Sequence, residues 1–135
     1  MAEPPRKLFT VARANKALPF VSRIVDDVVS KMNALKTLER ERAKSKHEAL
    51  ETVERKMFDL EGEIERHVQE LTLVGCELKD PAKGLLDFLA HDGERHVYLC
   101  WMKGEPEVAW WHPLETGFAG RRPVRELPKA VLGEA

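Results

Sequence analysis

The sequence is poor in the features that announce a function. Of 135 residues only two are cysteine, Cys76 and Cys100, and no C-x-x-C pair occurs. That excludes a disulfide framework and a cysteine-clamped zinc motif. Charge of one sign is not in excess either: 22 Lys and Arg meet 23 Asp and Glu, for a formal net charge of −1. A chain so balanced lacks the bulk field that draws proteins to nucleic acid or anionic membranes. The longest apolar run, Val97 to Met102, is far too short for a membrane-spanning helix. The opening Met-Ala-Glu-Pro-Pro-Arg-Lys leads into no apolar segment of the secretory kind. No H-E-x-x-H, phosphate-loop or dinucleotide-binding fingerprint is present. These absences set the expectation of a soluble, cytoplasmic protein that binds neither nucleic acid nor membrane. With 43% hydrophobic and 33% charged residues, the chain is expected to fold as a single domain over 1–135.

Glycine and proline are also missing between Pro19 and Gly62, a stretch dense in Ala, Leu, Glu, Lys and Arg with nothing to break a helix. Leu18, Val21, Val25, Val28, Met32 and Leu35 recur at alternating three-four spacing and form one stripe. Phe20, Ile24 and Val29 widen that stripe, which predicts more than one neighbour for the first helix. A second stripe runs through Leu50, Val53, Met57, Leu60, Ile64, Leu71 and Val74, interrupted only by His67. Ser45 followed by Glu48 reads as a capping box, so a turn near 43–45 separates two antiparallel helices; one continuous helix is the alternative. Thr10 is the expected N-cap, Gly75 the expected stop, and Pro19 is expected to kink the helix or cut off a short one.

From Cys76 onward glycines punctuate short segments, and six of the nine aromatic residues lie here. Segments 85–91, 95–102 and 107–112 read as strands. Asp92-Gly93 signals a two-residue hairpin, and Lys103-Gly104-Glu105-Pro106 a four-residue turn. The expected fold class is α+β. A long antiparallel helical hairpin (10–75, kinked near Pro19) precedes a three-stranded antiparallel β-meander (84–112) and an irregular C-terminal tail (113–135). With those turn lengths, one face carries Leu86, Phe88, Val97, Leu99, Trp101, Val108, Trp110 and His112, and is covered by the helices. The other carries Asp87, Tyr98, Cys100 and Trp111, and suits either a subunit interface or a ligand pocket. One residue of slippage in a hairpin would move Asp87 or His112 to the opposite face.

Gly84-Leu-Leu-Asp-Phe88, Val97-Tyr-Leu-Cys-Trp101, Gly104-Glu-Pro-Glu107, Trp111-His112 and Gly117-Phe-Ala-Gly-Arg121 occur in that order. With Phe9-Thr10 leading into the helical pair, this set resembles an uncharacterised prokaryotic family, domain of unknown function 2203, over nearly the whole chain. The resemblance implies a small soluble bacterial protein and no particular activity, cofactor or partner. The chain departs from the family pattern at His96 and Arg122, which argues against an essential role for His96.

The candidate ligand- or metal-binding residues are His112, Glu115 and Arg121, where strand gives way to tail. An imidazole and a carboxylate could hold a divalent metal or move a proton, and Arg121 could clamp an anion. The plainer alternative is a core-edge histidine, a solvated glutamate and a turn with surface arginines. Asp87 and Tyr98 are secondary polar candidates. Cys100 shows no cationic neighbour in sequence and reads as a buried inert thiol. Lys36, Arg40, Arg42, Lys44 and Lys46 are interleaved with acids and read as a solvated helical tip. Phe118, between Gly117 and Gly120, is expected to pack on the body and bring Arg121 to Glu115 or Asp87. An exposed Phe118 would remove the loop's claim to be a site. Two functions follow: a non-enzymatic, self-associating module, expected to be a homodimer through Phe20, Ile24, Val29 and Trp111, or a metal- or anion-binding protein or small enzyme at the sheet–tail junction.

Overall fold

Thr10 sets the start of the first helix, its hydroxyl accepting the Arg13 amide at 3.2 Å. In the computed structural model, which describes residues 7–133, that helix (α1) spans Val11–Lys44. It runs through Pro19 without a break, so no separate short helix forms. Pro19 faces solvent, while its neighbours Leu18 and Val21 are buried. Their packing offsets the roughly 3 kcal/mol that an interior proline costs. The second helix (α2, His47–Val74) begins after a turn of only two residues, Ser45 and Lys46. The expected capping box is not made. A turn this tight leaves Ser45 in the closing turn of α1, where its hydroxyl donates to the Glu41 carbonyl at 2.7 Å, and Lys46 stands at the N-cap of α2 without a side-chain bond.

The broad apolar arc of α1 is used within the chain. Val21, Ile24 and Val25 join the main core, and Leu71 is buried there from α2, while Val28, Val53 and Met57 are buried farther along the helical pair. Ile24 is therefore core, Val29 packs partly buried against that core, and of this helical set only Phe20 is exposed, at 58%.

Gly75 ends α2 with φ 110, its amide reaching the carbonyls of Leu71 and Thr72. The chain passes directly into β1 (Cys76–Asp80), followed by β2 (Leu85–His91), β3 (His96–Met102), β4 (Trp110–Pro113) and β5 (Arg122–Pro123). Five antiparallel strands lie in the order β1-β2-β3-β4-β5, where three were expected. β1 was hidden because its alternation rests on Cys76 and Leu78 alone, with no β-branched or aromatic residue, and β5 has only two residues. The last described helix (α3, Lys129–Leu132) and its approach are tied in by Leu127 and Val131, both in the core. No helix among the described residues is long and apolar enough to cross a membrane.

Both hairpin registers differ from expectation, with unequal consequences. Asp92 Oδ1 accepts the amides of Glu94 and Arg95 at 2.8 and 2.9 Å, so the β2–β3 turn has four residues and His91 pairs with His96. That is a slip of two, which returns every side chain to its expected face. In the β3–β4 connection Glu105 Oε1 takes the Met102 amide at 2.6 Å, and Asn15 Oδ1 on α1 takes the Val108 amide at 2.7 Å. Segment 107–109 is drawn to the helix instead of the sheet, and β4 begins only at Trp110. Leu99 then faces Trp111, and Tyr98 faces His112. This slip of one exchanges the faces of the two residues. Trp111, expected on the outer face, enters the core at 8% exposure, and His112 leaves the inner face for the outer one.

The inner face, with Leu86, Phe88, Ala90, Val97, Leu99, Trp101 and Trp111, packs under α1. Gly84 permits the close approach: a Cβ there, at φ +74, would lie 2.8 Å from Lys103 Cβ and 3.0 Å from Val25 Cγ1.

Candidate functional site

Strand alternation sends Asp87 (β2), Cys100 (β3) and His112 (β4) to the outer face, on three adjacent strands. Asp87 and Cys100 are directly paired, and His112 lies across from Tyr98. All three are buried, at 2%, 0% and 2% exposure. One carboxylate oxygen, the Sγ and a ring nitrogen lie within 4.8 Å of one another.

His112 Nε2 lies 3.1 Å from Asp87 Oδ2, and Nδ1 lies 2.7 Å from the Pro113 carbonyl. A carboxylate and a carbonyl can only accept, so both ring nitrogens donate and the ring is an imidazolium. Burial opposes that charge, but the Asp87 carboxylate, the Cys100 side chain and the Pro113 carbonyl outweigh it and hold the pKa at about 10 instead of 6.5. The other carboxylate oxygen, Asp87 Oδ1, is buried and has no hydrogen-bond partner among the described residues. Such an oxygen is costly, because it has lost water and gained nothing in return.

Arg121 lies on the far side of Cys100. Its Nη2 donates to the Cys100 carbonyl at 3.4 Å, and its fork grips Glu105 through Nη1–Oε2 at 2.8 Å and Nη2–Oε1 at 2.5 Å. The guanidinium also stacks over Trp110 and Phe118, with 5.4 and 4.7 Å to the ring centroids. Cys100 therefore has the two cationic neighbours, His112 and Arg121, that local sequence does not reveal. At the β1 side of the face, Tyr98 donates its hydroxyl to Glu77 at 2.9 Å, and Lys79 bridges Glu77 and the Tyr98 ring. Burial and the Glu77 hydrogen bond push the Tyr98 pKa up.

Of the residues singled out from sequence, Asp87, Tyr98 and His112 are brought together. Glu115 is not: it is exposed and pairs with Arg95 at 3.3 Å. Arg121 makes a half-buried ion pair, but with Glu105 instead of Glu115 or Asp87. Phe118 does not pack into the body; it is 44% exposed, lying against Arg121, so the loop loses its claim to hold a ligand itself. Cys100 was read as inert, and Glu105, which lies outside the cluster as the partner of Arg121, was not singled out. Glu105 had a signal in the Gly104-Glu-Pro-Glu107 motif, and Cys100 had one in its place beside Asp87 and Tyr98 on the mixed face. Cys76 lies in the inner core, where burial raises its pKa to about 12 and leaves an inert thiol. Placed on opposite faces of the sheet, the two cysteines do not approach for a disulfide. His67 is shared between the helices, 2.8 Å from Lys31 Nζ.

Comparison with curated proteins and with solved structures gives no match. The family model described as an uncharacterized conserved protein, DUF2203, matches residues 7–124, which takes in both long helices, all five strands and the whole Asp87–Cys100–His112 cluster, and the chain belongs to that family.

Proposed function

We propose that the outer face of the sheet binds one thiophilic divalent metal ion through the Asp87 carboxylate, the Cys100 thiolate and His112 Nε2. The observation that carries this is the convergence of three different donor types, buried and within 4.8 Å of one another, from three neighbouring strands. The hydrogen bond from His112 Nδ1 to the Pro113 carbonyl supports it, because a ligating histidine commonly anchors its other nitrogen in this way. The unsatisfied Asp87 Oδ1 supports it too: a cation in the cluster would stabilise a carboxylate that the imidazolium serves on one side only. A mixed nitrogen, oxygen and sulfur set suits zinc and its neighbours and disfavours magnesium and calcium, which prefer oxygen throughout.

The charges also balance. Metal binding displaces the proton on Nε2 and the proton on Sγ. A neutral Asp87–imidazolium pair beside a neutral thiol is replaced by a dication with two anions and a neutral ring, so no net charge is added to the interior. Three protein donors are one fewer than a closed structural zinc site supplies. The ion's chemistry in this site would be that of a Lewis acid. Self-association through α1 and the sheet has less to rest on, with Ile24 and Trp111 both in the core.

The test is a titration of reduced, chelator-treated protein with cobalt and then zinc. One equivalent of cobalt with a thiolate-to-metal charge-transfer band is expected. The band should vanish in Cys100→Ser, and affinity should fall in His112→Ala, with circular dichroism confirming that both variants fold. Absence of stoichiometric binding, or binding indifferent to Cys100→Ser, would overturn the proposal.

A further inference from the structure

We infer that the loop 114–121 is the door to the buried cluster and that the Arg121–Glu105 pair is its latch, an inference that rests on the metal-binding reading above. Asp87, Cys100 and His112 are sealed, so any ion or reagent reaching them requires part of the fold to move. β2 and β3 are interior strands, hydrogen-bonded on both sides, and the inner face is closed by the core. Neither can open without disrupting the sheet. β4 differs. Among the described residues its outer edge is held by two residue pairs, Trp110 with Pro123 and Trp111 with Arg122, and by the Val124 amide on the Ala109 carbonyl beside them, and none of these reaches His112.

Directly after His112 the chain leaves the sheet at Pro113, and most of the following loop is exposed. What fastens the loop can be ranked. The Arg95–Glu115 pair is exposed at both ends and holds it weakly. The Arg121 fork on Glu105 is bidentate and only 12% and 21% exposed, which makes it the strong fastening. Glu105 is itself fixed by the Met102 amide, so the latch is anchored to the end of β3.

Arg121 is also the cation beside Cys100, and its guanidinium donates to the Cys100 carbonyl. Swinging it outward uncovers the thiol side of the cluster, for an ion entering and for an ion leaving alike. Releasing the latch therefore speeds entry and exit together and leaves the equilibrium between bound and free ion nearly unchanged.

Two readouts separate this inference from the metal proposal. The first is the reaction of Cys100 with a small aromatic disulfide reagent in metal-free protein carrying Cys76→Ala, which leaves a single thiol. The second is the exchange rate of bound zinc measured with a fluorescent chelator. Glu105→Gln keeps an oxygen for the Met102 amide but loses the ionic fork. It should raise both rates about tenfold, the factor set by loss of ~1.4 kcal/mol, with less than about a threefold change in zinc affinity. Arg121→Gln should raise both rates as well, and Glu115→Ala should change neither rate. Labelling no faster than global unfolding allows, or equal in Glu105→Gln and its parent, would overturn the latch. Labelling that accelerates in a protein that takes up no zinc would leave the latch standing and remove the metal reading instead.

Discussion

The two faces of the sheet are cut from alternate residues of the same strands, yet they are held together by different forces. On the inner side Leu86, Phe88, Leu99 and Trp101 join the core under α1, held by apolar burial, which has no direction. On the outer side Asp87, Cys100 and His112 meet one another, and their contacts depend on which atom faces which. A slip of two residues at the β2–β3 hairpin leaves both faces chemically as they were. A slip of one at β3–β4 replaces His112 by Trp111 on the inner face and creates the ionic cluster on the outer one. Apolar packing tolerates error in register, and a polar cluster does not.

The contrast can be broken first from the inner side. Phe88 is fully buried, and Phe88→Ala should cost about 3–5 kcal/mol by transfer and cavity terms together. Urea unfolding should show that loss, while the fraction that remains folded keeps its cobalt spectrum. On the outer side, Asp87→Ala leaves the imidazolium of His112 buried without its counter-ion and should cost about 3 kcal/mol in metal-free protein. Adding His112→Phe to Asp87→Ala should recover most of that loss. A double variant no more stable than the single would show that the pair was never charged.

The pH dependence sharpens the same point. His112 loses its proton near 6.5 in the unfolded chain and near about 10 in the fold. Its pairing therefore contributes stability in full below the first value, and the contribution is lost as pH rises through the second. The difference in urea midpoint between wild type and His112→Phe should shrink across that interval. On the inner face Cys76, its pKa raised to about 12 by burial, stays a neutral thiol across that interval, so Phe88→Ala should show the same destabilisation at both ends. The smallest effect is expected outside both faces. Glu115→Ala removes an exposed pair and should change stability by about 0.5 kcal/mol or less.

What could be read from the sequence follows the same division. Both long helices, the Thr10 and Gly75 caps, and strand 85–91 to the residue rest on local propensity and periodicity, and they are found where expected. The inner face was legible, apart from the exchange of Trp110 and His112 for Trp111, because a hydrophobic alternation announces itself. The position of His112 was not, because Asn15 sets it by capturing the Val108 amide, 93 residues away along the chain. Nor was the partner of Arg121: Glu115 is nearer in sequence, but Glu105 is the carboxylate that the Met102 amide holds in place. Cys100 looked inert for the same reason, its two cationic neighbours being supplied by β4 and the following loop. Propensity is local, and the cluster is assembled by contacts between distant parts of the chain.

The measurement that bears most directly on the central claim is X-ray absorption at the zinc edge of protein loaded with one equivalent of zinc. A first shell containing one sulfur with nitrogen and oxygen neighbours, the sulfur disappearing in Cys100→Ser, is the predicted result. A shell of oxygen and nitrogen alone, unchanged by that substitution, would contradict the account and leave the Asp87–His112 pair as a structural ion pair.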